Sequence, residues 1–431
     1  YHASVAKVVQ VNASPQPPSA ANGHTGTGSV DPYPAGLTGA PPVTAPCQQP
    51  SFPTPPNYKK CNPEDIEAQL DSQQVAGLAP GATELFYLSY NPLICLNSQG
   101  FFVKTKKDGT CVKGGFHYPL IGIQLADDSL QQSIADNRAD SMSLSWGEPE
   151  NLALASGYIN KAMTAVGNVE FASLAAEGTA VFVSSGDNGA WECFDPNTGE
   201  PLGIACPSYP ATDPNVTAVG GVNLQVDEAG RLNGQITAWA DNTTHGGSGN
   251  FRNDVGSGGG ISQVFSAPQY QADAIGVKQR EIPDMSMDAD PATGVAIVAY
   301  AKWDPFVFAE GGTSASAPEA NAEWALVLSA CKATSGCGTS TGAASYRLGN
   351  AAPWFYEIFS GKANLPYNQV FYDVIYGDNQ ANPATPVPAS PSPFPTPAGY
   401  SAGPGYDMVT GLGVPFAGHL INAIVTGANA K

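Results

Sequence analysis

Three short segments carry side chains that could perform acyl transfer, and the first contains a serine. The run Gly311-Gly312-Thr313-Ser314 is followed at once by a predicted helix, so Ser314 is expected at the N-terminus of that helix. Backbone N–H groups and the helix dipole stabilise negative charge there, which makes Ser314 a candidate nucleophile. Ser316 is a second candidate, one step inside the helix. A small-residue loop before an ordinary capped helix would give the same pattern.

A nucleophilic serine needs a base, and the chain offers carboxylates in a more suitable pattern than histidines. Glu67 and Asp71 are spaced i, i+4 in a predicted helix over residues 62–77, so their Cβ atoms share one face, about 5–6 Å apart. Such a pair titrates as a unit, and its ionised member can accept a proton at low pH. None of the five histidines has a context typical of a catalytic base. A serine–histidine–aspartate triad and a solvated helix face remain the alternatives.

The third segment places an acid after a strand. Asp187 follows a predicted strand over residues 179–185 and lies between Gly186 and Gly189. The carboxyl edge of an α/β sheet is where functional groups collect. A buried, protonated carboxyl group there could donate a hydrogen bond to an oxyanion. The alternative is a turn aspartate that bonds its own backbone.

Alternating strands and helices would position these groups. A strand at residues 140–146, a helix at about 150–177 and the strand at 179–185 form a βαβ unit, which predicts a parallel sheet. Further strands are predicted at 83–90, 216–219 and 295–300, and a helix runs from Ser314 toward Cys331. We predict one α/β domain over residues 62–431. Residues 1–61 read as an irregular Pro/Gly-rich segment in which only residues 4–11 look helical, and residues 378–402 read as a Pro-rich insertion.

Composition limits the possible environments and partners. Lys and Arg total 18 against 37 Asp and Glu, for a net charge of -19, so a basic nucleic-acid-binding surface is not expected. The same acidity suits an acidic medium. No run of about 18 apolar residues occurs, so no membrane span is expected. The chain opens abruptly at Tyr1, which we interpret as a processed product.

The eight cysteines favour disulfides in an oxidising compartment. Pairing between neighbours (47–61, 95–111, 193–206, 331–337) would close four short loops, although eight cysteines allow 105 connectivities. Zinc ligation is the alternative, but the chain has no C-x-x-C spacing.

The order of the three catalytic segments resembles the sedolisin, or serine-carboxyl peptidase, family. The matching motifs are Glu67-x-x-x-Asp71, Ser-Gly-Asp187 and Gly-Thr-Ser314. Residues 143–147, 209–221, 258–262 and 283–291 are also similar to that family, so the resemblance runs from about Asn62 to the C-terminus. It implies a subtilisin-like α/β fold, with a parallel sheet flanked by helices, to which this sequence adds Pro-rich loop insertions.

The resemblance also implies roles by motif position. Ser314 would be the nucleophile, Glu67 the general base and then general acid, and Asp71 the group that orients Glu67. Asp187, protonated, would stabilise the oxyanion. Three residues would line the substrate cleft: Ser145, Trp146 and Gly147. One structural calcium ion would be bound by the side chains of Asp373 and Asp407 and the carbonyls of Val374, Gly403 and Gly405; a metal-free Gly-rich turn is the alternative.

By this resemblance the chain would be a secreted, acid-active endopeptidase that cleaves polypeptides and is released from its own pro-segment. Two features depart from the family. No strand is visible before the carboxylate helix, so we expect that strand on a separate, cleaved piece, and the large loops are atypical. A catalytically inactive, sedolisin-like binding or surface-structural protein is the alternative. The sequence does not distinguish internal cleavage from removal of tripeptides.

Overall fold

The computed structural model of the chain describes thirteen ranges. They are residues 7–12, 63–88, 93–97, 112, 115–119, 124–150, 161–193, 205–241, 255–301, 304–335, 337–338, 346–380 and 399–428. Within them the helices are α1 Pro63–Leu78, α2 Gln124–Asp136, α3 Lys161–Ala176, α4 Gln269–Ile275, α5 Thr313–Ala333, α6 Ala352–Phe359, α7 Tyr367–Val370 and α8 Ala417–Ala428. The strands are β1 Lys7–Asn12, β2 Thr83–Leu88, β3 Leu93–Asn97, β4 Gly115–Pro119, β5 Ser141–Leu144, β6 Glu148–Pro149, β7 Ala180–Ser184, β8 Ser208–Tyr209, β9 Thr217–Asn223, β10 Thr237–Ala238, β11 Ala240–Asp241, β12 Val255–Gly256, β13 Gly260–Ser266, β14 Gln279–Ile282, β15 Met285–Asp288, β16 Val295–Ala301, β17 Asp304–Glu310, β18 Phe371–Tyr372 and β19 Val414–Pro415.

A parallel sheet forms the centre of the molecule. Strand β5 pairs with β7, β7 with β9, and β9 with β15, all in parallel, while the short β10 adds to β9 in the antiparallel direction. Helix α3 connects β5 to β7, which confirms the predicted βαβ unit. Because parallel strands share a carboxyl edge, the loops after β5 and β7 open on the same side of the sheet.

Helices cover the sheet on both faces. Every residue of β7 is buried, and its side chains alternate between two hydrophobic clusters. Phe182 packs in the cluster that contains Trp324 and Val327 of α5. Val181 and Val183 pack in the other, with Phe171 and Leu174 of α3 and Leu130 of α2. This helix–sheet–helix layering confirms the predicted α/β class.

The hairpin β16–β17 ties α1 to α5. One small cluster contains Leu70 of α1, Ile297 and Phe308 of the hairpin, and Ala315 of α5. Gln73 adds a polar link: its Oε1 accepts from the Val298 N–H at 2.8 Å, and its Nε2 donates to the Val298 carbonyl at 2.9 Å. The hairpin therefore fixes the carboxylate helix relative to the serine helix.

The helical reading of residues 4–11 was wrong. Residues Lys7–Asn12 form strand β1, which pairs in parallel with β2 from Lys7↔Thr83 to Asn12↔Leu88. The segment KVVQVN is rich in valine, whose branched side chain favours a strand. A strand thus precedes the carboxylate helix within the chain itself, contrary to the expectation that it lies on a separate piece. It also interrupts the segment 1–61 that we expected to be irregular.

Two of the four neighbour disulfides are present among the described residues. Cys193 bonds to Cys206 and Cys331 bonds to Cys337, as predicted. Cys95 lies in β3, but Cys47, Cys61 and Cys111 fall outside the described ranges, so the other two pairings stay predictions. The Pro-rich insertion lies largely outside those ranges as well.

The described helices are short or polar. The longest is α5, with 21 residues, and it carries Glu319, Asn321 and Glu323 in its middle turns. None of the helices in the ranges given above is long and apolar enough to cross a membrane.

Candidate active site

Helix α5 presents Ser314 through a tight glycine turn. Gly312 precedes the helix with φ 90°, and a Cβ at this position would lie 2.7 Å from Asp187 Oδ2. Glycine is therefore required both by the backbone conformation and by the close approach of the acid. Ser314 follows in the first turn of the helix, as the sequence predicts.

Helix α1 places Glu67 and Asp71 beside that serine. The pKa of Glu67 is raised well above its ordinary value, chiefly because its carboxyl group is buried, and the charge on Asp71 raises it further. A hydrogen bond with Ser314 lowers the pKa of Glu67 and so opposes these two effects. Glu67 Oε1 is buried without a hydrogen-bond partner among the described residues. Burial raises the pKa of Asp71 to about 7. The two carboxyl groups therefore favour a state in which they share a proton.

Ser145 connects the acid pair to the serine helix. It follows β5, is 8% exposed, and donates from Oγ to Asp71 Oδ1 at 2.8 Å. The same hydroxyl lies 3.2 Å from the backbone carbonyl of Ser314. That carbonyl lacks its usual helical donor, because residue i+4 is Pro318, which has no N–H. Ser145 thus contacts both Asp71 and the start of the serine helix, a contact that sequence reasoning missed.

Asp187 lies on the turn after β7 and faces the start of α5. The Thr313 N–H and the Thr313 hydroxyl both donate to Asp187 Oδ1 at 2.8 Å. Oδ2 is the oxygen that faces Gly312. Burial raises the pKa of Asp187, and the two hydrogen bonds from Thr313 oppose the rise. A protonated carboxyl group in this position has one oxygen held and the other available as a donor.

Two further acids lie near Asp187 and Asp71. Glu310 ends β17, two residues before Gly312, and burial raises its pKa to about 7 while the charge on Asp187 adds to the rise. Glu84 of β2 raises the pKa of Asp71 by its charge. Glu310 precedes the glycine turn directly and could have been noted from the sequence, whereas no local pattern marks Glu84.

The other two predicted cleft residues lie beside Ser145. Trp146 is half-buried. A Cβ at Gly147 would lie 2.6 Å from Ser208 Oγ and 3.0 Å from the Tyr209 carbonyl, so its backbone packs directly on β8. The strand that follows, β6, pairs with β8 in the antiparallel direction.

The structure brings the two predicted calcium carboxylates to one loop. Asp373 accepts from the Gly405 N–H at 3.0 Å, and Asp407 accepts from the Gly403 N–H at 3.0 Å. Both carboxylates also raise the pKa of Tyr367, so each of them lies near that tyrosine. In the described ranges no group of three or more His, Cys, Asp or Glu side chains is arranged to hold a metal ion. A site here would therefore depend on the backbone carbonyls of Val374, Gly403 and Gly405 as well.

Histidines in the described ranges give no support for a histidine base. His117 lies in β4, and His419 lies exposed on α8, where its Nδ1 contacts the Gln369 carbonyl. His2, His24 and His245 fall outside the described residues.

Comparisons with known proteins identify similar sequences. The family model described as the subtilase family matches residues 66–344. Kumamolisin from Bacillus sp. (strain MN-32) is 29% identical over 376 residues, which cover 85% of this chain and 52% of that protein. Sedolisin from Pseudomonas sp. (strain 101) is 30% identical over 351 residues, which cover 80% of this chain and 47% of that protein. The chain thus spans about half the length of these curated relatives.

A solved structure is also similar. Pseudomonas sedolisin, described as a serine-carboxyl proteinase complexed with two molecules of pseudo-iodotyrostatin, matches with a TM-score of 0.61 and 25% identity. The match covers 99% of this chain and 94% of that chain. Its extent shows that the resemblance is not confined to the short catalytic motifs.

Proposed function

The chain belongs to the subtilase family, on its sedolisin branch, and from that premise we propose that it is a serine-carboxyl peptidase that hydrolyses polypeptides in acid. One observation carries the proposal. Ser314 stands next to the buried pair Glu67 and Asp71, while Asp187 faces the same helix start. The site thus supplies a nucleophile, a base and an oxyanion donor.

In the first half of the reaction the Ser314 hydroxyl oxygen attacks the carbonyl carbon of the scissile peptide. Glu67 takes the hydroxyl proton as the new C–O bond forms. The carbonyl oxygen becomes an oxyanion, to which protonated Asp187 donates a hydrogen bond. The tetrahedral intermediate then collapses: the C–N bond breaks, Glu67 returns the proton to the leaving amine, and an ester to Ser314 remains.

Water completes the reaction. Glu67 removes a proton from water as its oxygen attacks the ester carbonyl, and Asp187 again stabilises the oxyanion. The bond to Ser314 Oγ breaks, the proton on Glu67 passes to that oxygen, and the carboxylic acid product leaves. Asp71 shares the proton of the pair, so that Glu67 returns to its starting state after each half-reaction.

The raised pKa values support activity in acid. Burial raises the pKa of Asp187 and of the Glu67–Asp71 pair, so these groups keep protons at a pH where free carboxyl groups have lost them. Asp187 must be protonated to donate, and the pair must hold one proton and one free oxygen. Rising pH removes the proton from Asp187 and ends its contribution.

The nucleophile can be tested with a matched pair of serines. Ser314→Ala removes the proposed nucleophile, and we expect at least a 10³-fold loss of cleavage of denatured protein at acid pH, by the order of magnitude for catalytic serines. Ser316→Ala is the control, because its hydroxyl donates to the Asp288 carbonyl at 2.9 Å and is occupied in the fold. If the Ser314→Ala protein folds and keeps its activity, or if wild type is inactive from pH 2 to 8, the proposal fails and the inactive binding protein becomes the better account.

The oxygen-rich loop fits one calcium ion. Two carboxylates and three backbone carbonyls are the hard ligands that calcium prefers, and water could complete six. The support is the convergence of Asp373 and Asp407 on residues 403–405. We expect removal of calcium with EGTA to lower the melting temperature of wild type but to leave Asp373→Asn unchanged. Equal melting of wild type with and without added calcium would contradict this assignment.

Location and processing complete the proposal. The disulfides Cys193–Cys206 and Cys331–Cys337 support an oxidising, extracellular location, and the acid groups of the site support an acidic one. We propose internal cleavage of polypeptides and a pro-segment of the same precursor as a binding partner, by likeness to the family. Mass spectrometry of products from a long unfolded substrate would distinguish internal cuts from successive release of tripeptides.

A further inference from the structure

The turn that carries Asp187 is held on one side by backbone hydrogen bonds. The Gly256 N–H donates to the Asp187 carbonyl at 2.8 Å, and the Gly258 N–H donates to the Gly186 carbonyl at 2.7 Å. The Gly189 N–H returns a bond to the Gly256 carbonyl at 3.0 Å. These contacts fix the backbone around Asp187 against β12 and the loop that follows β12. They involve only one side of the turn.

Glu192 occupies the opposite side of the turn. It is 5% exposed, and both of its carboxyl oxygens bond to the residue that follows Asp187. Oε1 accepts from the Asn188 N–H at 2.9 Å, and Oε2 accepts from Asn188 Nδ2 at 2.9 Å. A Cβ at Gly186 would collide with the same carboxyl group, so Glu192 lies against the residues on both sides of Asp187.

A disulfide anchors the base of Glu192. The next residue, Cys193, is bonded to Cys206. The Glu192 N–H donates to the Cys206 carbonyl at 3.2 Å, and the Cys206 N–H donates to the Ala190 carbonyl at 2.9 Å. The Glu192 backbone is therefore fixed, and a short, rigid path runs from the disulfide through the Glu192 side chain to the Asp187–Asn188 peptide.

We propose that Glu192 is a positioning residue for Asp187, holding the oxyanion acid in place by binding both donors of Asn188. The inference rests on the proposed function, because it assumes that Asp187 donates to an oxyanion. Positioning matters here because a displacement of about 1 Å can cost as much as 10²-fold in rate. Because Asp187 stabilises the transition state, loss of its position should lower kcat and leave KM nearly unchanged.

The test is a set of variants of the whole chain assayed on a peptide substrate at acid pH. Glu192→Gln turns one accepting oxygen into a donor that faces a donor of Asn188, so we expect kcat to fall roughly 10- to 100-fold, with KM changed less than about twofold. Asn188→Ala removes only the side-chain bond, and we expect a smaller loss, roughly two- to tenfold. This milder variant keeps the test decisive if Glu192→Gln does not fold.

Asp213→Asn is the matched control. Asp213 is also fully buried, and its Oδ1 holds the N–H and the Nδ2 of Asn215, at 2.9 and 3.0 Å. It lies before β9, at the amino edge of the sheet, away from the site. We expect this substitution to lower the melting temperature comparably but to change kcat less than about twofold. An equal loss of kcat in the control would show that Glu192 is merely structural.

A double variant separates positioning from an independent effect. In an Asp187→Asn background, Glu192→Gln should cost little more, since the acid it positions is gone. If the two losses multiply, or if Glu192→Gln and Asn188→Ala both retain wild-type kcat, the inference is overturned. An inactive wild type would instead refute the proposed function, so the two failures are distinguishable.

Discussion

The hydroxyl of Ser145 is a single polar group that contacts both the carboxylate helix and the serine helix. It lowers the pKa of Asp71 through its hydrogen bond, whereas burial of the carboxyl raises that pKa. Its oxygen also lies 3.2 Å from the Ser314 carbonyl that Pro318 leaves without a helical donor, so the one hydroxyl proton is placed to donate to either acceptor. Since one hydrogen bond contributes about 0.5–1.5 kcal/mol, its loss should move the pKa of the pair by up to about one unit.

We therefore expect Ser145→Ala to shift the acid limb of the kcat/KM profile upward by about half to one pH unit. The direction follows because removal of the bond raises the pKa of Asp71, so the pair keeps its second proton to higher pH. The measurement is kcat/KM from pH 2 to 8. Ser133→Ala is the control, because Ser133 is also buried but lies on α2. An unshifted limb in the folded Ser145→Ala variant would exclude this role.

At the level of residues, spacing predicted part of the site and could not predict the rest. The i, i+4 spacing of Glu67 and Asp71 depends only on helical geometry, and the glycine turn before Ser314 is local as well. Ser145 lies 74 residues from Asp71 along the chain, so their contact depends on how α1 packs against the strands. Glu192 holds Asn188 within an irregular loop that has no periodic pattern to read.

Among the elements, the turn from β17 into α5 should tolerate substitution least. Gly312 has φ 90°, and any side chain there would push against Asp187 Oδ2. We expect Gly312→Ala to destabilise the fold by roughly 1–3 kcal/mol, the usual cost of strained backbone, and to reduce kcat. Denaturant unfolding and kinetics at acid pH would measure both effects.

Gly418→Ala is the control for that substitution. Gly418 lies in α8, and nothing lies within 4 Å of a Cβ at that position. We expect this change to be neutral or to stabilise the protein by up to about 1 kcal/mol, since alanine is the better helix former. A Gly312→Ala protein with wild-type kcat would contradict the close fit of Asp187 against the turn.

Helix α5 carries two buried acids that should make the fold sensitive to pH. Glu319 and Glu323 are each 7% exposed, and neither forms an ion pair with another described residue. Burial raises the pKa of Glu323 to about 8 and that of Glu319 well above its ordinary value. The elements packed against α5 carry acidic groups and one exposed histidine, His419 of α8. The acidic groups are Glu64, Asp65, Glu67 and Asp71 of α1 and Asp288 of β15.

The sign of the effect follows from the raised pKa. The folded state holds these protons more tightly than the unfolded chain does, so the two acids stabilise the fold fully below the ordinary pKa of 4.5. This stabilisation is lost as pH rises from 4.5 toward about 8, at about 1.4 kcal/mol per pH unit for each group. We expect Glu319→Gln/Glu323→Gln to flatten the dependence of unfolding free energy on pH over that range.

The control for this prediction is Glu228→Gln, at an exposed turn position. Urea unfolding from pH 4 to 8 would compare the three proteins. The prediction fails if the double variant and wild type lose stability in parallel as pH rises.

Strand β1 shows where element prediction failed. A six-residue segment is too short for its hydrophobic periodicity to distinguish a helix from a strand. Pairing with β2 makes it a strand, and β2 lies beyond α1 in the chain. Strand β7 and helices α3 and α5 were predicted near their actual positions. The strand is a continuous buried apolar run and the helices are long, so the local sequence indicates each of them. Pairing with a strand that is distant in sequence stabilises β1, and this tertiary contact cannot be predicted from the local sequence.

For the whole molecule, the main property is an excess of acidic over basic residues, with 37 Asp and Glu against 18 Lys and Arg. The net charge is -19, and buried carboxyl groups with raised pKa values stand both in the site and in the core. Repulsion among surface carboxylates and ionisation of buried ones both weaken the fold as pH rises. The composition therefore predicted the acidic character, but only the packing shows which acids are buried.

The most direct test of the central claim is the pH profile of peptide hydrolysis by wild type and Glu67→Gln. Glu84→Gln is the control, since Glu84 affects Asp71 only by its charge. A carboxylate base predicts activity that is highest in acid, that falls roughly 10²- to 10⁴-fold in Glu67→Gln, and that is largely retained in Glu84→Gln. Activity that rises to a plateau at neutral or alkaline pH, or that survives in a folded Glu67→Gln protein, would contradict the account.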